Sequence, residues 1–484
     1  MSRLPVAALC LTAVALSACV MNGANPAGNA RGLQGQVPQA SARVARSNGK
    51  ISHVIVVIQE NRSFENFFAG YPGANAPTTG CASPAPSPSP RMPATAGTDP
   101  HPATTGSPCP PGDVQVPLHS VTFKNNPDLR HDWRSSMTDW NNGQMDGFTA
   151  WGVKNGQYKA YAYLKQSEIQ PYWTMAQQYV LADAMFPTEF GGSFTAHLTL
   201  VAGTDDIKLP GQAEVNFPTH APDDCDSPQG TVSSYVSQNP YRKLHLFQGP
   251  FPCFDQFNTM AEVLDKNKVS WKYYATRRLD GGFWEPFEAI KYVRYGPDWK
   301  TNIIAPQTKF LTDAKHGKLA AVSWVTPSGP DSDHPTYLSD LGPSWVSSVV
   351  NAVGEGPDWN TSAIIVLWDD WGGFYDNAAP PQLDYRGLGI RVPCLIISPY
   401  AKQGYVTHVQ YEYGSILRFI EDVNGIPAGA IGHTVNGYTD KRANSLGDAF
   451  DFSQPPRKFV PIQSKYPMSR FINEPPSNDP VDTE

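Results

Sequence analysis

Charge is the scarcest ingredient of this 484-residue chain: Asp, Glu, Lys and Arg make up 17%, against about 25% in ordinary domains. The 37 basic and 44 acidic residues leave a net charge of −7. Lys and Arg form no cluster, so the electrostatic footprint of a nucleic-acid binder is missing. Beyond residue 20 no apolar run approaches the ~18 residues of a membrane-spanning helix. There is no CxxC or Cys/His spacing of a zinc site, no GxSxG elbow, and no repeat with a period of about 20–50 residues. What is present excludes disorder as the main state: 40% hydrophobic residues and 11% aromatics can bury a sizeable core. Pro is also abundant, at 46 residues, about twice the usual ~5%.

The N-terminus reads MSRLPVAALCLTAVALSACV. Arg3 precedes an uncharged stretch from Leu4 to Ala18, the pattern of a secretory signal. Leu16-Ser17-Ala18-Cys19 resembles a bacterial lipobox, which predicts a signal peptide over 1–18 and a lipid anchor on Cys19. The polar, Gly/Asn/Ala-rich stretch through residue 49 reads as a tether. The expected location is the cell envelope, with the outer membrane facing periplasm or cell surface favoured by Val20 after the cysteine.

Export allows cysteines to pair. Setting aside Cys10 and Cys19 leaves Cys81, Cys109, Cys225, Cys253 and Cys394. Four cysteines allow three connectivities. The local one, Cys81–Cys109 with Cys225–Cys253, is the expectation, each loop contributing roughly 3 kcal/mol. Cys394, inside VPCLIIS, reads as a buried free thiol.

Thirteen prolines fall within residues 72–118. That stretch is read as a surface insertion without strand or helix of its own. Elsewhere apolar runs alternate with helical patterns. Val54–Ile58, Ser270–Tyr274, Ala320–Val325, Ala363–Trp368 and Val392–Ser398 read as buried strands. Gln170–Ala182, Phe254–Asn267, Pro306–Ala314, Ser344–Val353 and Tyr411–Val423 read as helices. The alternation predicts an α/β domain over residues 50–455 with a mostly parallel sheet covered on both faces, followed by a Pro-spaced tail over 456–484.

In open parallel sheets, functional groups collect just past the C-terminal strand ends. The first strand runs into Glu60-Asn61, and the strand Ala363–Trp368 runs into Asp369-Asp370-Trp371-Gly372-Gly373. Adjacent carboxylates repel unless a cation holds them, and an oxygen-only donor set favours Ca, Mg or Mn over zinc. Gly191-Gly192-Ser193 opens the apolar pattern that follows, so Ser193 would meet backbone N–H groups at a helix start, which suits phosphate. His131, His334 and His408 are candidates for binding phosphate oxygens or protonating a leaving group.

These segments resemble the bacterial phosphoesterase family of phospholipases C and acid phosphatases, within the alkaline-phosphatase-like superfamily. The resemblance rests on HVIVVIQENRSFENFF (His53 to Phe68), HDW with NNGQMDGF, GGSFTAHLTLVAGT (Gly191 to Thr204), LAAVSWVTPSGPDSDHP (Leu319 to Pro335), VLWDDWGGFYDN (Val366 to Asn377) and Arg391 to Asp422, in family order. It implies a three-layer α/β/α sandwich. It also implies that Glu60, Asn61, Asp369 and Asp370 bind one or more divalent metal ions. Ser193 matches the nucleophile, touching the metal, and His131 and His334 match histidines that serve the phosphate or the leaving group. Tyr292 stands where relatives often carry His, so one phosphate contact is expected to be altered. The expected activity is hydrolysis of phosphoric esters through a phosphoserine, with a broad acid-phosphatase-like phosphomonoesterase favoured over a phospholipase C. A non-catalytic envelope binding protein on the same fold is the alternative of another class. The expected partners are a phosphoester substrate and a membrane reached through Cys19, without nucleic acid.

Overall fold

The computed structural model describes residues 49–84, 109–209, 213–218, 223–239, 242–279, 281–432 and 438–477, all within one compact unit spanning Ser41–Glu484. The expected signal peptide, Cys19 and the tether up to residue 48 lie outside the described residues, as does the middle of the Pro-rich insertion, 85–108.

A nine-stranded sheet organises the chain. Its strands are β1 (His53–Gln59), β2 (Val180–Phe186), β3 (Trp271–Tyr274), β4 (Ile303–Ile304), β5 (Val322–Val325), β6 (Ser362–Trp368), β7 (Val392–Ile397), β8 (Tyr405–Thr407) and β9 (Tyr411–Glu412). The order is β4-β3-β5-β1-β6-β7-β2-β8, with β9 also on β2. Every pairing is parallel except those of β7, which runs antiparallel to β6 and to β2. The expected parallel sheet is thus interrupted once. Residues 369–391 between β6 and β7 contain no helix, and without a crossover helix the chain returns antiparallel. β1, β5, β6 and β7 are buried along almost their whole lengths, as strands covered on both faces must be.

The helices used below are α1 (Phe64–Phe68), α2 (Trp133–Trp140), α3 (Gln170–Gln178), α4 (Ser193–Ala202), α5 (Met260–Lys266), α6 (Lys309–Lys315), α7 (Gly342–Gly354) and α8 (Tyr413–Asn424). α3 and α6 pack on α7, while α5 and α8 pack on α4, which completes a three-layer α/β/α sandwich. The helix expected over Gln170–Ala182 stops at Gln178, because Val180–Phe186 is claimed by pairing with β7, β8 and β9. Local periodicity could not reveal that partner. α5 begins only at Met260, where Thr259 and Glu262 form a capping box. α8 begins at Tyr413 because Tyr411–Glu412 is spent on β9.

Both local disulfides are formed, Cys81–Cys109 and Cys225–Cys253. Cys394 is a buried free thiol whose titration burial pushes far up. The insertion does contain strand structure, contrary to expectation: Thr79–Ala82 pairs antiparallel with Val114–Pro117 at its base. Residues 456–477 pack on the body through Ile462 and Phe471, both buried, with the Phe471 ring 5.8 Å from that of Trp345 in α7. No helix among the described residues is long and apolar enough to cross a membrane.

Candidate active site

β1 and β6 pair in a register that sets Gln59 opposite Trp368. Both strands therefore end level, and Glu60-Asn61 emerges beside Asp369-Asp370. The ladder runs one step further, as the Asp369 N–H donates to Gln59 O at 3.0 Å. Asn61 then turns into the left-handed region, φ 54°, a conformation Asn tolerates better than most residues. Its N–H donates to Asp369 Oδ1 at 2.9 Å. Across from it Gly372 sits at φ +63°, and a Cβ there would lie 2.2 Å from Asn61 O. The glycine is required by that close approach. The Gly372 N–H also donates to Asp370 Oδ1 at 2.7 Å, leaving Oδ2 turned to Ser193.

Ser193 is the first residue of α4, with Gly192 as the cap. Its hydroxyl donates to Asp370 Oδ2 and accepts from Asn61 Nδ2, each at 3.4 Å. One turn along α4, His197 Nε2 lies 3.0 Å from Glu60 Oε1 and 3.9 Å from Asp369 Oδ2. His197 is absent from the site residues expected from the sequence. The signal for it was its place four residues after Ser193, which puts both side chains on one helix face.

The two candidate histidines arrive from other elements. Asn61 Nδ2 donates to His131 Nε2 at 2.7 Å, while His131 Nδ1 donates to Leu129 O at 2.5 Å. His131 is thereby held as the tautomer with Nε2 as acceptor. His334 follows β5 through the turn at Asp333, and its Nδ1 accepts from the Thr336 N–H at 3.1 Å. The proton of a neutral His334 must then sit on Nε2. The two rings are 6.0 Å apart, and Trp284 packs on His334 at 6.0 Å. Asp333 is anchored beneath them by Tyr172 Oη at 2.7 Å and Trp368 Nε1 at 3.0 Å, both on Oδ2. Burial pushes the Asp333 carboxyl up to about 7.

Glu60, Asn61, Ser193, Asp369, Asp370, His131 and His334 thus converge, all buried. His408 does not join them. It is largely exposed and pairs with Asp183 at 2.9 Å. Tyr292 does not join them either: it is half-exposed, and its hydroxyl donates to Asp265 Oδ2 at 3.1 Å. Tyr292 reaches the surface of α5 instead and supplies no contact at the strand ends. The pocket beside Ser193 is lined by Trp133, Phe194, Asn216, Phe217 and Phe283, so the groove is rich in aromatic rings.

A divalent cation fits the strand ends. Ligand atoms of Glu60, His197 and Asp369 all lie within 4.8 Å of one another, and Asp369 Oδ2 has no hydrogen-bond partner. Buried carboxylates in such proximity need a positive group. Tyr413, at the start of α8, donates to Trp368 O at 2.8 Å and to Asp369 O. Its hydroxyl is held protonated by burial, then by Asp369, Asp370 and Glu60.

The phosphoesterase family matches residues 51–427. The chain belongs to that family. This phosphoesterase is 25% identical to phospholipase C A of Mycobacterium tuberculosis over 454 residues, 85% of this chain and 79% of that one. It is also 25% identical to a non-hemolytic phospholipase C of Pseudomonas aeruginosa, covering 84% of this chain and 58% of the relative. Among solved structures it is similar to a protein of the alkaline phosphatase superfamily from Vibrio parahaemolyticus, at 13% identity and TM-score 0.30, over 54% of this chain and 62% of that one. The phosphoesterase is a hydrolase of phosphoric esters, and the family resemblance of the six motifs is borne out.

Proposed function

We propose that this phosphoesterase cleaves its ester by attack of Ser193 Oγ on phosphorus, through a phosphoserine, and that its substrate is a phospholipid headgroup ester. The observation that carries the nucleophile is the position of Ser193 at the N-terminus of α4, between Asn61 Nδ2 and Asp370 Oδ2. The similarity to phospholipases C favours the phospholipid over the soluble monoester expected from the sequence.

Glu60, Asn61, Asp369 and Asp370, with His197 beside Glu60 and Asp369, would hold a divalent cation, which would supply Lewis-acid stabilisation of phosphoryl charge and a lower pKa for the Ser193 hydroxyl. The Ser193 proton passes to Asp370 Oδ2 as the Oγ–P bond forms. The ester P–O bond breaks, and His334 Nε2–H protonates the departing oxygen. His334 then takes a proton from the attacking water, which cleaves the phosphoserine, while Asp370 returns the first proton to Ser193. His131 holds Asn61 against Ser193 throughout. The N-terminal N–H groups of α4 stabilise the phosphoryl oxygens.

Ser193→Ala should abolish hydrolysis of both p-nitrophenyl phosphate and phosphatidylcholine while leaving the melting temperature unchanged. Retained turnover sinks the nucleophile assignment, and native activity confined to the monoester sinks the phospholipid assignment. We also propose that the chain is exported and anchored through lipid on Cys19. Cys19→Ser should then move it from the membrane fraction to the soluble fraction, and an unchanged distribution refutes the anchor.

A further inference from the structure

A second carboxylate cluster lies away from the strand ends and has no part in the reaction above. Glu189, Asp205 and Glu214 each bring one oxygen within 4.8 Å of the others, and all three are fully buried. They come from three segments: the loop before α4, the turn after it, and the strand Ala213–Pro218. That strand carries Asn216 and Phe217, which line the Ser193 pocket. The cluster therefore ties together the entry to the nucleophile helix, its exit and one wall of the pocket.

The charges facing the cluster do not balance. Arg386 lies 3.6 Å from Asp205 and 3.8 Å from Glu214, but its close partner is Asp384 at 2.7 Å. Arg442 is shared between Asp384 and Glu412. Arg242 approaches from the other side, its Nε donating to Tyr385 O and its guanidinium lying 5.1 Å from the Trp140 ring. Three arginines thus face five carboxylates, those of Glu189, Asp205, Glu214, Asp384 and Glu412. With all five ionised, two negative charges are uncompensated, and burial pushes the Glu189 and Glu214 carboxyls up. Asp206, beside Asp205, is partly exposed and is hydrated by solvent.

Independent of the carboxylates, the Tyr385 hydroxyl is buried with no hydrogen-bond partner, the ring being 6% exposed. Burial holds it protonated, and the charges that act on it most strongly after that are those of Glu214 and Asp205. Glu189 and Asp205 reach each other. Apart from that contact, Glu189 Oε1, both oxygens of Asp205 and Glu214 Oε2 receive no donor. An unsatisfied phenol oxygen and unsatisfied carboxylate oxygens around two missing positive charges describe a hard-cation site.

We propose that Glu189, Asp205 and Glu214 bind a second, structural divalent cation of the Ca2+ class, which clamps the segments flanking α4 and so fixes Ser193 from behind. The competing way to neutralise the cluster is two protons. The clamp is independent of the reaction at Ser193 and stands or falls separately from it.

The test uses the full chain stripped by chelator and titrated with CaCl2 alone, reading bound equivalents and the thermal unfolding midpoint. The native chain should bind one equivalent more than Asp205→Asn or Glu214→Gln. Asp370→Asn, which alters the strand-end site, should keep that equivalent. Ca2+ should raise the midpoint of Asp370→Asn by a few degrees, and this rise should vanish when Asp205→Asn is added. Both carboxamides preserve shape and remove repulsion, so the metal-free variants should fold at least as stably as the metal-free native chain. Equal stoichiometry in native, Asp205→Asn and Glu214→Gln chains overturns the proposal. So does a midpoint in Asp370→Asn that Ca2+ leaves unmoved, the result expected if protons neutralise the cluster.

Discussion

Gly372→Ala separates backbone geometry at the site from chemistry, because the change adds one methyl group and touches no ligand atom. The added Cβ would sit 2.2 Å from Asn61 O, whereas ordinary contact begins at 3.4 Å. Either Asn61 or the Asp370–Gly373 turn must retreat by about 1 Å, a displacement that can cost ~10²-fold in rate. Asn61 carries hydrogen bonds to Asp369, His131 and Ser193, and the Gly372 N–H orients Asp370. The retreat is therefore felt at every member of the site. The left-handed φ adds about 1–2 kcal/mol of strain for Ala, which lowers the melting temperature by only a few degrees. Initial rates on p-nitrophenyl phosphate should show kcat reduced about 100-fold, equivalent to ~2.7 kcal/mol of barrier. Gly152→Ala is the control: that glycine is also left-handed, φ +84°, with nothing within 4 Å of its Cβ position. It should lose a similar stability and no activity. A Gly372→Ala enzyme within about threefold of native kcat refutes the argument that this contact sets the site.

The remaining expectations concern protonation and cross-linking. Asp333 titrates at about 7 in the folded chain because it is buried, and near ~3.9 when unfolded. Between those values the folded state holds a proton that the unfolded state lacks, so this group stabilises at low pH and the contribution disappears as pH rises through 7. The difference of about three units is worth ~4 kcal/mol. Urea unfolding at pH 5 and 8 should show a larger fall for the native chain than for Asp333→Asn, and equal falls refute the assignment. His334→Gln should slow esters with poor alkyl leaving groups by ~10²–10⁴-fold and p-nitrophenyl phosphate much less; equal losses on both substrates count against a leaving-group acid. Cys225→Ser with Cys253→Ser opens a loop of 28 residues and should cost roughly 3 kcal/mol in denaturant unfolding.

Several parts of the site were legible in local sequence. Val54–Ile58 and Ala363–Trp368 carry no charge and are rich in β-branched residues, the pattern of strands buried on both faces. The polar residues that follow them had to surface at strand ends. Ser193 after two glycines announced a helix start, and the structure places it there. Spacing also anticipated both disulfides, since nearby cysteines pair with the least loop entropy. Other parts were not legible. Val180–Ala182 looked like the continuation of a helix because the strand it pairs with, β7, is more than 200 residues away along the chain. The reversal of β7 depends on residues 369–391 folding without a helix, which no local pattern marks.

The sequence by itself determined the buried strands and the polar residues that follow them, because hydrophobic period and side-chain type are local properties. Tertiary structure decided the rest. The register of β1 on β6 brought Asn61 onto Asp369, and the i to i+4 turn of α4 brought His197 onto Glu60. Packing sent Tyr292 to Asp265 and gathered Glu189, Asp205 and Glu214 into one buried cluster. Each of those outcomes is a contact between residues distant along the chain, and such a contact exists only once the sheet has been assembled.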